Sequence, residues 1–354
     1  MKLLVWHWGR RGAGPIFAAQ LRDALSALGI ETALSLAQGA EILAPPNTTQ
    51  CDWAEPTYTN SVDYLLQRAA YLLPSRRGLA HLQKIKPDIA ICAMPALLDR
   101  RMLRALRQSR IPYAVLVHDA MAHPGDSLSF RLLGQTRLLR DAAALFPLSS
   151  HVQAQLRDQE FGRNGQMITK LWHPPFNFGS VKPAFAHAGK PRLLSFGRLL
   201  PYKGLDLLAD ALTALGPDLP FDVRICGDGP ASAELARLRA LPGVEVDRRW
   251  IPETELRALI EWSDAVVLPY REASQSGVAA AAIGQGRLVV ATNVGGLPEQ
   301  LSGMPNAILC EPNAAAIAAA LRQIRPPETP AQAAGAAADW QRMAAKMLAT
   351  LRQI

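Results

Sequence analysis

Two cations lie in one loop between a predicted strand and a predicted helix in the second half of the sequence. The run Arg192–Phe196 is followed by Gly197, Arg198 and Lys203, and Gly204 opens a helical pattern. Backbone N–H groups and the dipole at a helix start favour negative charge, and two cationic side chains beside them add to this preference. The segment therefore predicts an anion site suited to a diphosphate.

A second loop rich in glycine follows the predicted strand Asp222–Cys226. It contains Gly227, Asp228 and Gly229, where the glycines let the backbone approach a ligand closely. The same residues also form a good plain turn. Open parallel sheets bind ligands at the carboxyl ends of their strands, so this position favours a binding role.

A third loop carries both an acid and a predicted phosphate cap. Glu272 is an acceptor for sugar hydroxyls, and Ser276 with the following N–H groups of Gly277 and Val278 would cap a phosphate. A fourth loop leads to Glu299 in the same half. We expect these side chains to meet at one edge of a sheet.

In the first half, the predicted strand Tyr113–Val117 delivers His118 to the same kind of position. A histidine directly after a buried strand is a candidate catalytic group, although a lone histidine is often structural. The first strand leads into a glycine loop that includes Gly14, but this loop lacks the Gly-x-Gly-x-x-Gly spacing. Dinucleotide binding is therefore disfavoured.

Short apolar runs alternate with helical patterns throughout, which predicts an α/β protein with two Rossmann-like domains facing a central cleft. At 354 residues the chain exceeds the usual size of one core. We predict a first domain at 1–180, a second domain at 181–330 and a helix at 331–354 that packs back on the body. The linker is Phe178–Pro191, rich in Gly, Pro and Ala.

The strands and helices follow from these patterns. The predicted strands are Leu3–His7, Thr32–Leu36, Asp88–Ala93, Tyr113–Val117, Ala144–Pro147, Met167–Leu171, Arg192–Phe196, Asp222–Cys226, Val244–Val246, Ala265–Leu268, Leu288–Ala291 and Ala307–Leu309. The predicted helices are Pro15–Leu28, Asp63–Leu73, Ala96–Gln108, Leu128–Ala142, His151–Asp158, Gly204–Leu215, Ala231–Ala240, Glu253–Glu261, Gly277–Gly284, Ala314–Gln323 and Ala331–Arg352.

Composition limits the partners of the chain. The net charge is +8, and nearly all of it lies in residues 1–180, where arginines recur at helical spacing from Arg100 to Arg110. Such a face either contacts anionic lipid headgroups or is a solvated helix surface. Nucleic acid is disfavoured because aromatic residues do not interleave with the cations. No apolar run is long enough to span a membrane, and the four separated cysteines favour a reducing cytoplasm.

Asp-x-Asp does not occur in the sequence. A sugar-nucleotide enzyme without paired aspartates neutralises its leaving diphosphate with Arg, Lys and helix dipoles. We therefore expect no metal and no further cofactor.

The second half resembles the retaining glycosyltransferases of family 4, which have the two-Rossmann GT-B fold. The resemblance is carried, in the family's order, by the segments Phe196–Gly204, Cys226–Pro230, Ile251–Leu256, Ser263–Ala265, Leu268–Glu272 and Val289–Glu299. In the first half only the glycine loop, Val117–Asp119 and Leu148–Ser150 match. The resemblance implies a donor that is a UDP- or GDP-sugar and transfer of the sugar to an acceptor hydroxyl with retention. It also implies that 1–180 is the acceptor-binding domain and 181–330 the sugar-nucleotide-binding domain.

The resemblance also implies roles for individual residues. Arg198 and Lys203 would bind the donor diphosphate, Glu272 the donor sugar and Gly227 the region of the nucleobase. Ser276 and Gly277 would lie near the phosphates, and His118 beside the reacting centre.

The family's second glutamate is replaced by Ala280, which leaves open an impaired enzyme or compensation by Glu299. The alternatives are a sugar-nucleotide epimerase or phosphorylase of the same fold, or a non-catalytic binding protein derived from a transferase. For a transferase, we expect a cytoplasmic enzyme, peripheral on the inner face of the membrane. Its acceptor would be a glycan, for example linked to polyprenyl diphosphate, in surface polysaccharide or glycolipid assembly.

Overall fold

The structure, a computed structural model, describes residues 1–47, 49–67, 76–96, 99–121, 129–163, 165–179, 181–326 and 335–354. The chain forms two compact units. The first comprises the described residues of Met1–Met121, Ser127–Trp172 and Ala337–Ile354, and the second comprises those of His173–Ala336.

The first unit is built on a parallel sheet whose central strands are almost wholly apolar. In the described part of the chain this sheet has seven strands in the order β3-β2-β1-β4-β5-β6-β7. Strands with apolar side chains on both faces are typical of parallel sheets covered by helices. The strands are β1 Lys2–His7, β2 Glu31–Ala37, β3 Trp53–Glu55, β4 Ile89–Cys92, β5 Tyr113–Val117, β6 Ala144–Pro147 and β7 Met167–Ile168.

Helices of the first unit cover this sheet. They are α1 Ala13–Ala27, α2 Ser61–Gln67, α3 Arg76–Ile85, α4 Asp99–Gln108, α5 Ser129–Arg140, α6 Ser150–Asp158 and, from the end of the chain, α13 Ala336–Leu351. Trp340 of α13 packs edge-on against Phe17 of α1, with the ring centroids 4.8 Å apart, and Thr350 bonds Thr169. The predicted packing of the last helix on the body is confirmed, and residues 331–334 of that prediction lie outside the described residues.

The second unit repeats the architecture with a six-stranded parallel sheet in the order β10-β9-β8-β11-β12-β13. Its strands are β8 Arg192–Phe196, β9 Asp222–Cys226, β10 Val244–Asp247, β11 Ala265–Leu268, β12 Leu288–Thr292 and β13 Ala307–Cys310. Its helices are α7 Leu205–Ala214, α8 Ala233–Arg239, α9 Glu253–Trp262, α10 Gly277–Gly284, α11 Leu297–Leu301 and α12 Ala314–Leu321. The predicted α/β class with two Rossmann-like sheets is confirmed.

Each sheet has one point at which the strand order reverses. In the second unit this switch lies between β8 and β11, because the chain continues from β8 to β9 on one side and returns to β11 on the other. The loops after the two strands diverge and leave a crevice at their carboxyl ends. The equivalent switch in the first unit lies between β1 and β4.

The end of the predicted linker is fixed to the second unit by Asp264, which is buried. Its carboxylate accepts hydrogen bonds from the backbone N–H of Phe185 (2.5 Å), the backbone N–H of Arg192 (2.8 Å) and Nε2 of His187 (2.8 Å). A buried carboxylate is stable when donors satisfy it in this way. The segment from Phe185 to Arg192 is therefore an ordered part of the second unit.

Several elements differ from the sequence prediction. Strand β3, helix α3 and helix α11 were not predicted, and helix α7 begins at Leu205, after Gly204. Gly204 instead follows a short 3-10 turn, Pro201–Lys203, and has φ of +65°. The predicted helices Asp63–Leu73 and Ala96–Gln108 are present in part, and their residues 68–73 and 97–98 lie outside the described residues.

Candidate functional site

The two predicted loops of the anion site lie beside each other because they follow the neighbouring strands β8 and β11. They are the first predicted loop, 197–204, and the third, 269–276. A Cβ added at Gly204 would overlap the carbonyl oxygen of Pro269, and one at Gly197 would contact Val278 at 3.4 Å. The backbone of the first loop is thus in direct contact with the third loop and with the first turn of α10.

The loop after β9 packs equally closely on the first loop. A side chain at Gly227 would overlap the carbonyl oxygen of Gly197, and the N–H of Leu199 donates to the carbonyl of Asp228 at 2.8 Å. Arg248, which follows β10, donates from Nη1 to the carbonyl of Gly229 at 3.0 Å. The structure therefore brings the first two predicted loops together and adds Arg248, which sequence reasoning missed.

Arg198 and Lys203 lie around a pair of buried tyrosines. Arg198 Nη2 donates to Tyr202 Oη at 2.9 Å, and its guanidinium lies 5.6 Å from the centre of the Tyr202 ring. The Lys203 ammonium lies 4.9 Å from the centre of that ring and 3.7 Å from the centre of the Tyr270 ring. Both predicted cations are thus held on aromatic faces in the same crevice.

The N-terminus of α10 is capped by Ser276. Its Oγ accepts from the N–H of Ala279 at 3.2 Å, which leaves the N–H groups of Gly277 and Val278 in the first turn, where anions bind at helix starts. The amide of Gln300 bonds both backbone groups of Ser276, accepting from its N–H at 2.8 Å and donating to its carbonyl at 2.9 Å. Gln300, which the sequence reasoning missed, therefore fixes the start of this helix.

Glu272 is half-buried in the third loop, 269–276, next to an exposed ion pair. Arg271 pairs with Asp206 of α7, and the N–H of Arg271 donates to the carbonyl of Tyr202 at 2.8 Å. Hydrogen bonding to Arg271 lowers the pKa of the Asp206 carboxyl, so this acid stays ionised at neutral pH. The position of Glu272 is thus tied to the loop that carries Lys203.

The position of the family's second glutamate presents no carboxylate. Ala280 is 2% exposed, and its carbonyl accepts from the N–H of Phe176 at 3.0 Å. Glu299 lies exposed in the first turn of α11, on the loop after β12. Glu299 and Glu272 are therefore the two glutamates that the described loops bring to this end of the sheet.

In the first unit, His118 directly follows β5, as predicted, and is 3% exposed. Its Nε2 donates to the carbonyl of Ala93 at 2.8 Å, and its ring packs edge-on against Phe17. Burial lowers the pKa of His118, so the imidazole is neutral at pH 7. Because a carbonyl only accepts, Nε2 carries the proton and Nδ1 is the nitrogen that can accept one.

His7, the last residue of β1, is a second buried histidine at this sheet edge, and sequence reasoning missed it. Its Nδ1 bonds the carbonyl of Met94 at 2.8 Å. Its Nε2 occupies the space that side chains at Gly9 and Gly14 would need. Gly14 therefore has a clear structural reason to be glycine, because it makes room for this ring.

Within the described residues, no group of three or more His, Cys, Asp or Glu side chains is arranged to hold a metal ion. No described helix has the length and apolar character needed to cross a bilayer.

Two family models match the chain, one in each unit. Residues 190–325 match "Glycosyl transferases group 1", and residues 12–169 match "Glycosyl transferase 4-like domain". This chain is a glycosyltransferase whose two units match these two models. The matched regions include all three loops of the candidate site and His118, and the resemblance to family 4 stated from the sequence is confirmed.

Solved structures of glycosyltransferase fold are similar over the whole chain. Sucrose-phosphate synthase from Thermosynechococcus elongatus is 17% identical, with a TM-score of 0.68 over 99% of this chain and 98% of that one. HepE from Anabaena, solved in complex with UDP-glucose, is 17% identical, with a TM-score of 0.67 over 99% of this chain and 100% of that one. At 17% identity, this likeness shows the fold of the chain and nothing further.

A curated relative is similar over a shorter stretch. The D-inositol 3-phosphate glycosyltransferase of Jonesia denitrificans is 35% identical over 124 residues, which is 32% of this chain and 29% of that protein. The alignment therefore spans less than a third of either protein.

Proposed function

We propose that this glycosyltransferase transfers a sugar from a nucleoside diphosphate donor to an acceptor hydroxyl with retention of configuration. The observation that carries the proposal is the meeting of Arg198, Lys203 and the N-terminus of α10 at the strand switch of the second unit. A diphosphate is the ligand that two cations and a helix start suit best. The HepE structure contains UDP-glucose, which is consistent with a donor of this class.

The residues around this centre have separate proposed roles. Arg198 and Lys203 bind the diphosphate, and the N–H groups of Gly277 and Val278 contact a phosphate. Glu272 accepts hydrogen bonds from donor hydroxyls, and Gly227 lies near the nucleobase. Its neighbour Arg248 is held at the adjacent Gly229 carbonyl, which suits a contact with the same end of the nucleotide.

In the chemical step, negative charge develops on the leaving diphosphate, next to these cations. The bond between the sugar C1 and the diphosphate oxygen breaks, and the acceptor oxygen forms its bond to C1 on the same face. The acceptor proton passes to the departing phosphate. Arg198, Lys203 and the helix dipole stabilise the charge that develops on the leaving diphosphate. We therefore assign this stabilisation to the protein and to no metal ion.

His118 is proposed to act on the acceptor side. Its neutral imidazole can accept a hydrogen bond at Nδ1, while Nε2–H is committed to Ala93. This fits a group that orients a hydroxyl more than one that carries a positive charge.

The nucleotide is tested by a thermal-shift screen of the whole protein against UDP-, GDP- and ADP-sugars, because a bound ligand raises the unfolding temperature by mass action. A shift with one class identifies the base. No shift with any of them contradicts the proposal.

Catalysis is tested separately from binding, because Ala280 lacks the carboxylate of the family pattern. The test is complementation of a deletion strain by Lys203→Ala and Glu272→Ala variants. If both variants complement as well as the wild type, the protein is a binding protein and no transferase. Conversion of the sugar nucleotide without any acceptor would instead identify an epimerase.

An anionic membrane surface is the proposed location of the acceptor, which would be a lipid-linked glycan in surface polysaccharide or glycolipid assembly. Helix α4 presents Arg100, Arg104 and Arg107. The pKa of Arg104 is lowered by burial first and then by its neighbours Arg100, Arg137 and Arg107, so these four cations lie close together. Arg107 and Arg137 both contact Asp141, and Arg101 is paired with the buried Glu55, away from this face.

Exposed apolar side chains accompany these cations in the first unit. Val62, Leu65 and Leu66 of α2 are exposed, and Leu66 is 79% exposed. Apolar residues together with arginines are typical of helices that lie on anionic membranes. Sedimentation with anionic liposomes at low and high salt tests this, and equal recovery with neutral liposomes contradicts it. An Arg104→Gln, Arg137→Gln double variant should bind less than an Arg342→Gln control.

A further inference from the structure

Tyr270 lies directly after β11, between the two segments that form the proposed diphosphate site. It is 2% exposed, and its ring faces the Lys203 ammonium at 3.7 Å from the ring centre. Its Oη lies 3.5 Å from Oγ of Ser276, the residue that caps α10. One buried side chain therefore touches both the cation and the helix start.

The contact with Lys203 has a specific electrostatic consequence. The face of an aromatic ring attracts a cation through its quadrupole, and the attraction strengthens when the pair is shielded from water. The ring carries no net charge, so it holds the ammonium without neutralising it. A carboxylate in the same place would fix Lys203 equally well but would cancel the positive charge that a diphosphate needs.

Tyr202 extends this arrangement to Arg198. The Tyr202 and Tyr270 rings pack edge-on with centroids 6.4 Å apart, and Lys203 lies over both. Tyr202 also receives the hydrogen bond from Arg198 Nη2. The two like charges are therefore kept near each other by aromatic faces, which offset part of their repulsion.

The backbone around Tyr270 is fixed from the adjacent strand. Thr292 Oγ1 donates to the carbonyl of Tyr270 at 2.6 Å, and the N–H of the next residue, Arg271, donates to the carbonyl of Tyr202 at 2.8 Å. Pro269, the preceding residue, touches Gly204 through its carbonyl oxygen. The ring of Tyr270 thus has a defined position relative to Lys203.

We infer that Tyr270 is a positioning residue of the donor site, which holds the Lys203 ammonium by its ring face so that the cation meets the diphosphate already oriented. The inference rests on the proposed donor binding and adds the reason for an aromatic residue at this position. A competing explanation is that Tyr270 only fills space in the core.

Fluorination separates these explanations, because it reduces the negative charge of the ring face while changing its volume little. The variants are Tyr270→Phe and the same protein with mono-, di- and trifluorinated phenylalanine at position 270. The probe is UDP, or GDP or ADP if only one of those binds the wild type, and its Kd is measured by calorimetry on the full chain. The same fluorinated series at Phe221, which packs in the apolar core of this unit, is the matched control.

We expect Kd to rise stepwise with each fluorine at position 270, by about twofold to thirtyfold over the series, which is the range of one cation–π contact. Each variant should still unfold in one cooperative transition, and the Phe221 series should leave Kd unchanged. A Kd that does not vary with fluorination in folded protein overturns the inference and leaves donor binding intact. A wild-type protein that binds none of the three nucleotides overturns both.

Discussion

His7 and His118 donate ring N–H groups to consecutive carbonyls of one segment, those of Met94 and Ala93. This is possible because β1 and β5 lie on either side of β4, and each histidine comes at the carboxyl end of its strand. The segment after β4 is thus fixed from both sides. The protonated nitrogen is Nδ1 in His7 and Nε2 in His118, since the carbonyls accept in both bonds.

The burial of His118 predicts a loss of stability at acid pH. The unfolded chain takes up a proton near the ordinary pKa of 6.5, whereas the folded protein, whose His118 pKa is lowered, does so only at lower pH. The free energy of unfolding should therefore fall as pH decreases below about 6.5 and level off below the folded pKa. Denaturant unfolding at several pH values measures this, and His118→Gln should have the smaller dependence. An identical dependence in the variant would show that another group is responsible.

Gly204 should be the least replaceable residue of the first loop. In Gly204→Ala the new Cβ overlaps the carbonyl oxygen of Pro269 at a φ of +65°, so we expect a loss of about 3–5 kcal/mol in stability. Gly303→Ala has nearly the same φ, +73°, but open space around the Cβ, and should lose only about 1–2 kcal/mol. Equal losses in the two variants would contradict the close contact between the loops.

Gln300→Leu removes both bonds to the backbone of Ser276. We expect a loss of about 1–3 kcal/mol in the free energy of unfolding and a higher Kd for UDP, because the start of α10 loses its support. Gln323 lies just after the end of α12, and Gln323→Leu, which removes an exposed bond to the carbonyl of Ala319, should change neither quantity. Calorimetry and denaturant unfolding measure the two effects, and an unchanged Kd would separate Gln300 from the donor site.

The buried carboxylate of Asp264 predicts a large structural effect away from the proposed chemistry. Asp264→Asn replaces an acceptor of three hydrogen bonds by an amide that cannot accept all three, which should cost about 2–4 kcal/mol. Asp222→Asn, at an exposed position of the same unit, is the control. Faster proteolysis between residues 181 and 191 in the Asp264 variant would locate the damage, and its absence would count against the role of Asp264 in ordering this segment.

Removal of either cation tests the leaving-group role. Arg198→Ala and Lys203→Ala should each lower kcat by about tenfold to several-hundred-fold, since a charged hydrogen bond that strengthens in the transition state is lost. Arg237→Ala, an exposed arginine of α8 paired with Asp210, serves as control. Variants that change KM alone would indicate that the cations bind the donor equally in the ground state and the transition state.

Most of the strands could be predicted because they are continuous apolar runs such as Ala265–Leu268. Strand β3 could not, since Trp53–Glu55 is only three residues long and ends in a charge that Arg101 neutralises from a distant helix. Helix α11 was not predicted because Pro298 made its sequence look like a loop. Proline is tolerated at this position, since it lies at the start of the helix.

The charged residues and glycines of the candidate site could be predicted from the sequence. The residues that hold them in place could not. Tyr270 and Gln300 act through contacts between loops that only the strand order β8-β11-β12 brings together. No local pattern encodes that order. The same holds for His7, whose place beside the segment after β4 follows only from the pairing of β4 with β1.

The packing of Trp340 against Phe17, which in turn contacts His118, links helix α13 to helix α1. Trp340, Met343 and Met347 of α13 are buried in the first unit. During synthesis on the ribosome, part of the apolar surface of the first unit therefore stays exposed to solvent while the second unit is translated. The second unit can form its own core first. The packing around His118 is complete only after helix α13 has emerged from the ribosome.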